Sequence, residues 1–290
     1  MTIREHIHRI TQLLQPLYDT YEAAAIAKAY LQARLALPAH KMVLCANEAL
    51  PAQVERQLDT DLPQLLDGHP LQYVLGEAEF YGLNFHVTPD VLIPRPETEE
   101  LVDLIVRTHA HCPTLRIWDV GTGSGCIAVA LAKNLPQAEV FASDISEAAL
   151  AVAKENAKSN HVAINFARHD MLDTTNLPFG DLKFDILVSN PPYIPESVKK
   201  EMHPNVVEHE PHLALFVPEE NPLVFYDALA QIGKHCLVPQ GKVYAETFEG
   251  HHKELEKLFL SHNYADFQSL EDINGKKRMV CATTHFASLR

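Results

Sequence analysis

The sequence Gly121-Thr122-Gly123-Ser124-Gly125 places three glycines in alternation between the apolar segments LRIWDV and CIAVALAKNL. Glycine is favoured where a strand turns sharply into a helix and where a ligand lies against bare backbone. The alternation differs from the G-x-G-x-x-G spacing that delivers a pyrophosphate to a helix N-terminus. Asp119, just before the loop, would repel a pyrophosphate but suits a cationic ligand such as the amino-acid end of S-adenosylmethionine. The loop therefore predicts an S-adenosylmethionine site, with a dinucleotide site or a ligand-free turn as alternatives.

Carboxylates follow the next two apolar segments. Asp144 ends the segment FASD, about twenty residues after the glycine loop, where a carboxylate can accept hydrogen bonds from ribose hydroxyls. Asp144 could instead cap a helix, but Ser146 is placed to do so. Asp170 and Met171 follow the next segment, and we predict that they contact the adenine amino group and the adenine ring. The alternative for Asp170 is the cap of a turn.

The sequence Asn190-Pro191-Pro192-Tyr193 ends a further apolar segment, FDILVSN. The prolines remove two backbone donors and stiffen the loop, which leaves carbonyl groups and the Asn190 side-chain oxygen as acceptors beside an aromatic ring. This arrangement predicts a pocket for a planar NH2 group. Such a nitrogen is a poor nucleophile, so the site must bind both hydrogens, align the nitrogen with a methyl sulfonium and stabilise positive charge, for which Tyr193 offers a ring face. Taken alone, the motif could also be a rigid turn.

These motifs need elements that bring them to one place. We predict strands at residues 115–120, 139–143, 164–167, 184–189 and 242–246, and helices at residues 126–134, 147–158, 222–237 and 252–261. The alternation predicts an open, Rossmann-like α/β sheet with parallel strands and right-handed crossovers. Two more strands, near Phe267 and at residues 279–282, are separated by Asn274-Gly275, a hairpin signal that predicts an antiparallel pair at the C-terminal edge.

The first part of the chain has a different pattern. Residues 1–68 carry apolar side chains at helical spacing, which predicts a small all-helical domain. We expect this domain to serve substrate recognition. Residues 69–95 show short strand-like segments separated by glycine and proline, which predict a β-hairpin linker. Residues 96–290 then form the predicted methyltransferase domain.

Composition restricts the possible functions. The 290 residues contain 24 Lys and Arg against 38 Asp and Glu, a formal net charge of −14, which argues against broad contact with a nucleic-acid backbone. No apolar run has the length of a membrane span, so we expect a cytoplasmic protein without membrane contact. The five cysteines are scattered without a C-x-x-C, and His109/His111 and His251/His252 lack partners at ligand spacing. We therefore expect neither disulfides nor a metal site.

The glycine loop, Asp144 and the Asn-Pro-Pro-Tyr motif together resemble class I S-adenosylmethionine-dependent methyltransferases, and within them the release-factor glutamine N5-methyltransferases. The narrower resemblance rests on further segments: Leu92-Ile93-Pro94-Arg95-Pro96-Glu97-Thr98-Glu99 after Tyr73, Gly76 and Phe80-Tyr81-Gly82, then Val188-Ser189-Asn190-Pro191-Pro192-Tyr193-Ile194, and Glu210-Pro211 followed by Ala214-Leu215. Two positions depart from it, since Met171 and His209 stand where an aromatic residue is common.

The resemblance implies methyl transfer to the side-chain amide nitrogen of the glutamine in the GGQ motif of class-one peptide chain release factors. It implies that Gly121 to Gly125 and Asp144 hold S-adenosylmethionine, with Met171 beside the adenine. The catalytic and substrate-binding residues would be Asn190, Pro191, Pro192 and Tyr193. The Asn190 side chain and the Pro191 carbonyl would bind the glutamine amide, and Tyr193 would line the slot. Asn190 would also border the cofactor.

Two other functions remain open at this stage. The Asn-Pro-Pro-Tyr slot also suits adenine N6 in a base flipped out of nucleic acid, although the acidic charge of the chain favours a protein amide. A non-catalytic adaptor that binds S-adenosylmethionine is the third possibility. No direct nucleic-acid partner is expected.

Overall fold

The computed structural model describes residues 1–284, which form two compact units. The first unit consists of Met1–Glu77 and His203–His209, and the second of Ala78–Met202 and the described residues from Glu210 on. Among the described residues, no helix is both long enough and apolar enough to cross a membrane.

The α-helices are α1 (Ile3–Leu14), α2 (Thr20–Leu35), α3 (Ala39–Leu44), α4 (Ala52–Leu66), α5 (Leu71–Leu75), α6 (Pro96–His109), α7 (Cys126–Asn134), α8 (Glu147–Ser159), α9 (Pro204–His209), α10 (Val224–Cys236) and α11 (His252–Ser261). The strands are β1 (Glu77–Phe80), β2 (Leu83–His86), β3 (Leu115–Val120), β4 (Ala138–Asp144), β5 (Ile164–Arg168), β6 (Phe184–Ser189), β7 (Ile194–Pro195), β8 (Phe216–Val217), β9 (Leu237–Glu246), β10 (Tyr264–Glu271) and β11 (Lys277–Thr284).

The first unit is helical, as predicted. Thr2 starts α1 with a capping box, in which its side chain and that of Glu5 each accept a backbone N–H of the other residue. Asp19 caps α2 by accepting the N–H groups of Tyr21 and Glu22, each at 2.8 Å. The buried faces of these helices and of α4 form one apolar core, whose central side chains are Ile10, Leu14, Tyr30, Leu31 and Leu65.

The prediction of strand-like segments in residues 69–95 is wrong near its start, because Leu71–Leu75 is a helical turn. Pro70 precedes this turn and Gly76 ends it with a positive φ of 77°, a conformation that glycine adopts without strain. A five-residue helix is too short to show a period in sequence. The hairpin follows directly, as β1 and β2 joined through Tyr81 and Gly82, both at positive φ.

The second unit is built on a seven-stranded sheet in the order β10-β11-β9-β6-β3-β4-β5. Strands β9, β6, β3, β4 and β5 run parallel, whereas β11 is antiparallel to β9 and to β10. The predicted Rossmann-like sheet with an antiparallel C-terminal edge is therefore confirmed. Most predicted boundaries lie within two residues of those in the structure, and the largest difference is at β9. This strand begins at Leu237, five residues before the predicted start at residue 242, and an irregularity in its pairing with β6 lies between Leu237 and Lys242.

The two units divide at Glu77, whereas we predicted boundaries after residues 68 and 95. Burial explains the difference. Val74 of α5 lies in the helical core, whereas Phe80 and Phe85 of the hairpin are buried in the core of the second unit, together with residues of β3 and α7. The hairpin is thus a part of the second unit, and the short segment His203–His209 groups with the helices.

Candidate active site

The second unit contains a cavity of about 380 Å³ at the carboxyl ends of β3, β4, β5 and β6. Ligands of open parallel sheets bind at this edge, because the loops that follow the strands converge there. The predicted site residues that line it are Gly121, Thr122, Gly123, Ser124, Asp144, Asp170, Met171, Asn190 and Pro192. Four segments that lie far apart in the sequence therefore meet in one cavity.

The glycine loop turns from β3 into α7 with positive φ at each glycine: 77° at Gly121, 54° at Gly123 and 80° at Gly125. A Cβ atom added at Gly123 would meet no atom within 4 Å, so bare backbone borders open space at this position. A Cβ atom added at Gly125 would lie 3.0 Å from the Cβ of Ala153 in α8. Gly125 thus lets two helices approach closely, whereas Gly121 and Gly123 present backbone to the cavity.

Asp119 lies beneath the loop, fully buried and outside the lining of the cavity. Its Oδ2 accepts a hydrogen bond from the Thr122 hydroxyl at 2.6 Å, whereas its Oδ1 has no partner among the described residues. Burial raises the pKa of this carboxyl group from 3.8 to about 7, against the opposing effect of the Thr122 hydrogen bond. The carboxyl group therefore supports the loop from behind through Thr122.

The raised pKa predicts a pH-dependent stability that the variant Asp119→Asn lacks. The folded state binds this proton more tightly than the unfolded state, so the contribution to stability is complete below about pH 4 and is lost as the pH rises through about 7. Urea unfolding at pH 5 and pH 8 should show that wild type loses more stability than the variant, by a difference on the order of 2 kcal/mol. Parallel changes in the two proteins would contradict a raised pKa at Asp119.

Asp144 bridges two loops at the cavity. Its Oδ2 accepts the Gly123 N–H at 2.8 Å, and its Oδ1 accepts the Ser146 N–H at 2.9 Å. Ser146 in turn caps α8 by accepting the Ala149 N–H, so the helix cap is Ser146, as we expected. Burial raises the pKa of the Asp144 carboxyl group. Since a carboxylate oxygen has two lone pairs, both oxygens retain the capacity to accept from a ligand.

The segment after β5 contributes Asp170, Met171 and a residue that the sequence did not suggest, His169. Asp170 accepts the Leu172 N–H at 2.9 Å and so also caps a turn, while Met171 is buried. The Nε2 of His169 lies 2.9 Å from the Asp173 carbonyl oxygen, which can only accept, so Nε2 carries a proton. In a neutral ring Nδ1 is then an acceptor, and it is buried without a partner among the described residues.

The Asn-Pro-Pro-Tyr loop presents Asn190 and Pro192 to the cavity, whereas Pro191 is buried and Tyr193 lies outside the lining. The Tyr193 hydroxyl donates to Oε1 of Glu246 at 2.8 Å, and Nδ2 of Asn190 donates to Oγ1 of Thr98 at 3.1 Å. The expectation that the Tyr193 ring lines the slot thus differs from its position in the structure. Aromatic lining comes instead from His169 and Phe225.

Two segments named in the sequence resemblance close one side of the cavity. Arg95, which follows the hairpin, forms a 2.6 Å ion pair with Glu210, whose side chain is buried. The other carboxylate oxygen of Glu210 accepts the Ile93 N–H at 3.4 Å. This pairing fixes Arg95 and the residues after Glu210 as neighbouring parts of the lining.

The residues present fit S-adenosylmethionine. Bare glycine backbone suits close approach of the amino-acid end, Asp144 retains acceptors for ribose hydroxyls, and Met171 offers an apolar surface to a ring. The unpartnered Nδ1 of His169 lies in a residue that lines the same cavity, where it can accept from an exocyclic amino group.

Two family models match the chain. Residues 5–76 match the PrmC N-terminal domain, and residues 99–212 match the Methyltransferase small domain. Solved structures share the fold of a large part of the chain: a methyltransferase from Pyrococcus furiosus aligns with a TM-score of 0.50 at 14% identity over 71% of this chain and 91% of that one. A human protein described as methyltransferase 10 domain containing protein aligns with a TM-score of 0.50 at 16% identity over the same shares.

Curated relatives match at higher identity and over nearly full length. The release factor glutamine methyltransferase of Bacteroides thetaiotaomicron is 42% identical over 94% of this chain and 97% of its own length. That of Flavobacterium psychrophilum is 41% identical over 97% of this chain and 98% of its own length. The chain therefore belongs to the release factor glutamine methyltransferase family of S-adenosylmethionine-dependent enzymes.

Proposed function

We propose that the protein transfers a methyl group from S-adenosylmethionine to the side-chain amide nitrogen, N5, of the glutamine in the GGQ motif of class-one peptide chain release factors. The position of Asn190 carries this proposal. Asn190 lines the same cavity as the glycine loop and Asp144, and its Nδ2 is engaged by Thr98. Its Oδ1 is therefore the amide atom left to accept from an NH2 group. The names of the relatives agree with this substrate.

Most of the cofactor-binding residues we propose line the remaining cavity. The amino-acid end would be held by Gly121, Thr122, Gly123 and Ser124, and Gly125 would shape the turn. Asp144 would accept from the ribose hydroxyls, and Asp170 and Met171 would contact the adenine. Asp119 would act indirectly, because its carboxyl group supports Thr122 from beneath the loop.

The chain contributes binding and orientation to the reaction. S-adenosylmethionine, when bound, supplies a methyl group made electrophilic by the positive sulfur. Asn190 Oδ1 and the Pro191 carbonyl would accept the two hydrogens of the glutamine amide, which fixes the nitrogen and favours positive charge on it. Pro191 and Pro192 restrict the backbone of this loop. The amide nitrogen becomes acidic as it is methylated, so water or a nearby carbonyl group suffices to take its proton.

The helical unit is the proposed contact for the release factor. It matches a domain model separate from that of the methyltransferase unit, and the second unit alone holds the cavity. The net charge of −14 favours a protein substrate over nucleic acid. With a release factor as substrate, we expect the reaction to take place in the cytoplasm, where translation ends.

Incubation with methyl-labelled S-adenosylmethionine tests the function directly. The acceptors are a class-one release factor, the same factor with alanine in place of the motif glutamine, and a mixture of DNA and RNA. We expect label only in the unmodified factor. Label in nucleic acid would support methylation of adenine N6. Absence of label in every acceptor would support the non-catalytic adaptor that binds S-adenosylmethionine.

A further inference from the structure

A chain of hydrogen bonds joins Asn190 to a buried carboxylate. Asn190 Nδ2 lies 3.1 Å from Thr98 Oγ1, and Thr98 Oγ1 lies 2.5 Å from Glu246 Oε2. The Tyr193 hydroxyl lies 2.8 Å from the other oxygen, Glu246 Oε1. Thr98 and Glu246 are 2% and 1% exposed, so the hydrogen bond between them is shielded from water, whereas the contacts of Asn190 and Tyr193 are partly buried. The group combines residues from α6, β9 and the loop after β6.

Burial raises the pKa of the Glu246 carboxyl group, and the hydrogen bonds from Thr98 and Tyr193 oppose that rise. When Glu246 is ionised, the contacts have only one consistent direction. Both oxygens of Glu246 receive a hydroxyl donor, which is the arrangement of a carboxylate, and a carboxylate can only accept. Thr98 must then give its single hydroxyl proton to Glu246. Toward Asn190, the Thr98 oxygen can then only accept. Within the Asn190 amide only the NH2 group donates, so this group faces Thr98.

This direction fixes the rotation of the Asn190 amide. The two ends of an asparagine amide have nearly the same shape, so packing alone distinguishes them weakly, and hydrogen bonds decide which end faces which neighbour. With Nδ2 on Thr98, Oδ1 is left as the acceptor for a ligand. Further anchoring comes from Tyr226, whose hydroxyl donates to the Glu246 carbonyl oxygen at 2.9 Å.

We propose that Glu246 is a positioning residue which, through Thr98, holds the Asn190 amide with its oxygen available and so makes the site select glutamine over glutamate. This inference rests on the function proposed above. A glutamine side chain offers an NH2 group to Asn190 Oδ1, whereas a glutamate of the same shape offers only acceptors, which repel that oxygen. Sites built to bind a donor discriminate strongly against an analogue that lacks it, because buried polar groups are left unpaired.

Competition between two release factors measures this selectivity. The substrate is the release factor with its motif glutamine, and the competitor is the same factor with glutamate at that position. The quantity compared is the inhibition constant of the glutamate form divided by the KM of the glutamine form. Calorimetric affinity for S-adenosylmethionine and thermal unfolding report whether each variant keeps its fold and its cofactor site.

Three variants distinguish the effect of the hydrogen bonds between Asn190, Thr98 and Glu246 from that of simple packing. Thr98→Val keeps the side-chain shape but removes the hydroxyl, so Asn190 loses the acceptor that orients it. Thr98→Ser restores a hydroxyl. Glu246→Gln can donate to Thr98, whose proton then points to Asn190 and favours the reversed amide. We expect the ratio to fall at least about tenfold in Thr98→Val and Glu246→Gln, and to recover largely in Thr98→Ser, with cofactor affinity changed less than about threefold.

The inference is overturned if Thr98→Val folds, binds the cofactor and still discriminates as wild type does. It is also overturned if Thr98→Ser loses selectivity as much as Thr98→Val, since the hydroxyl that Thr98→Ser retains would then not be what maintains selectivity. If Glu246→Gln does not fold, the Thr98 pair decides alone. Failure of the proposed function is distinct, because wild type would then label no release factor at all.

Discussion

Replacement of Asn190 by alanine is expected to lower kcat/KM for the release factor by about 10²–10³ or more, to the limit of detection in most assays. Removal of a single well-placed polar group from a reaction site costs this much in other enzymes. In Asn190→Ala the glutamine amide loses the acceptor that holds one of its hydrogens, and Thr98 Oγ1 loses its donor. Transfer of label from S-adenosylmethionine to the release factor gives the rate.

Cofactor binding should largely survive the same change, because the glycine loop and Asp144 are untouched. Calorimetry is expected to give a Kd for S-adenosylmethionine within about threefold of wild type. Asn165→Ala is the matched control, since Asn165 lies exposed on β5 and should leave both quantities unchanged. Near-normal turnover in Asn190→Ala would remove Asn190 from the reaction.

Replacement of Asp144 by alanine is expected to weaken S-adenosylmethionine binding by about 5- to 150-fold, which corresponds to about 1–3 kcal/mol for lost hydrogen bonds to a charged group. The carboxylate would contact the ribose, and it also holds Gly123 and Ser146 at 2.8 and 2.9 Å. The variant therefore loses both a ligand contact and a brace between two loops. Calorimetric titration with the cofactor measures the effect.

Kinetics distinguish this variant from Asn190→Ala. In Asp144→Ala the KM for the cofactor should rise while kcat at saturating cofactor changes little, because the glutamine-binding loop keeps its contacts. Glu147→Ala removes a neighbouring carboxylate whose side chain is 76% exposed, and it serves as the control for charge. An unchanged Kd in Asp144→Ala would exclude the carboxylate from cofactor binding.

Most of the fold could be predicted because its elements are long and periodic. Residues 126–134 and 252–261 show clear helical patterns, and the structure has helices with those bounds. The short helix Leu71–Leu75 escaped prediction, since one turn contains no repeat. The grouping of His203–His209 with the helical unit depends on contacts distant in sequence, for which a single chain gives no signal.

The site was predictable where its motifs are local. The glycine loop and Asn-Pro-Pro-Tyr are continuous segments, and their cavity-facing members follow from the strand ends. Thr98 and Glu246 were missed because their hydrogen-bonded partners lie far away in the sequence. Thr98 is 92 residues from Asn190 and 148 residues from Glu246. The Tyr193 ring was expected in the slot because the sequence shows an aromatic residue at this position. The sequence does not show the buried carboxylate of Glu246, to which the Tyr193 hydroxyl donates in the structure.

The segment His203–His209 has a practical consequence for dividing the protein. In the helical unit the ring of His203 stacks on Tyr18 with centroids 5.3 Å apart, and the ring of His209 lies 4.0 Å from that of His69. Removal of residues 1–77 would therefore remove the packing partners of these two histidines and leave the histidines attached to the methyltransferase half. Neither half is a single stretch of chain, so a chimera that exchanges helical units between relatives must exchange this seven-residue insert with them.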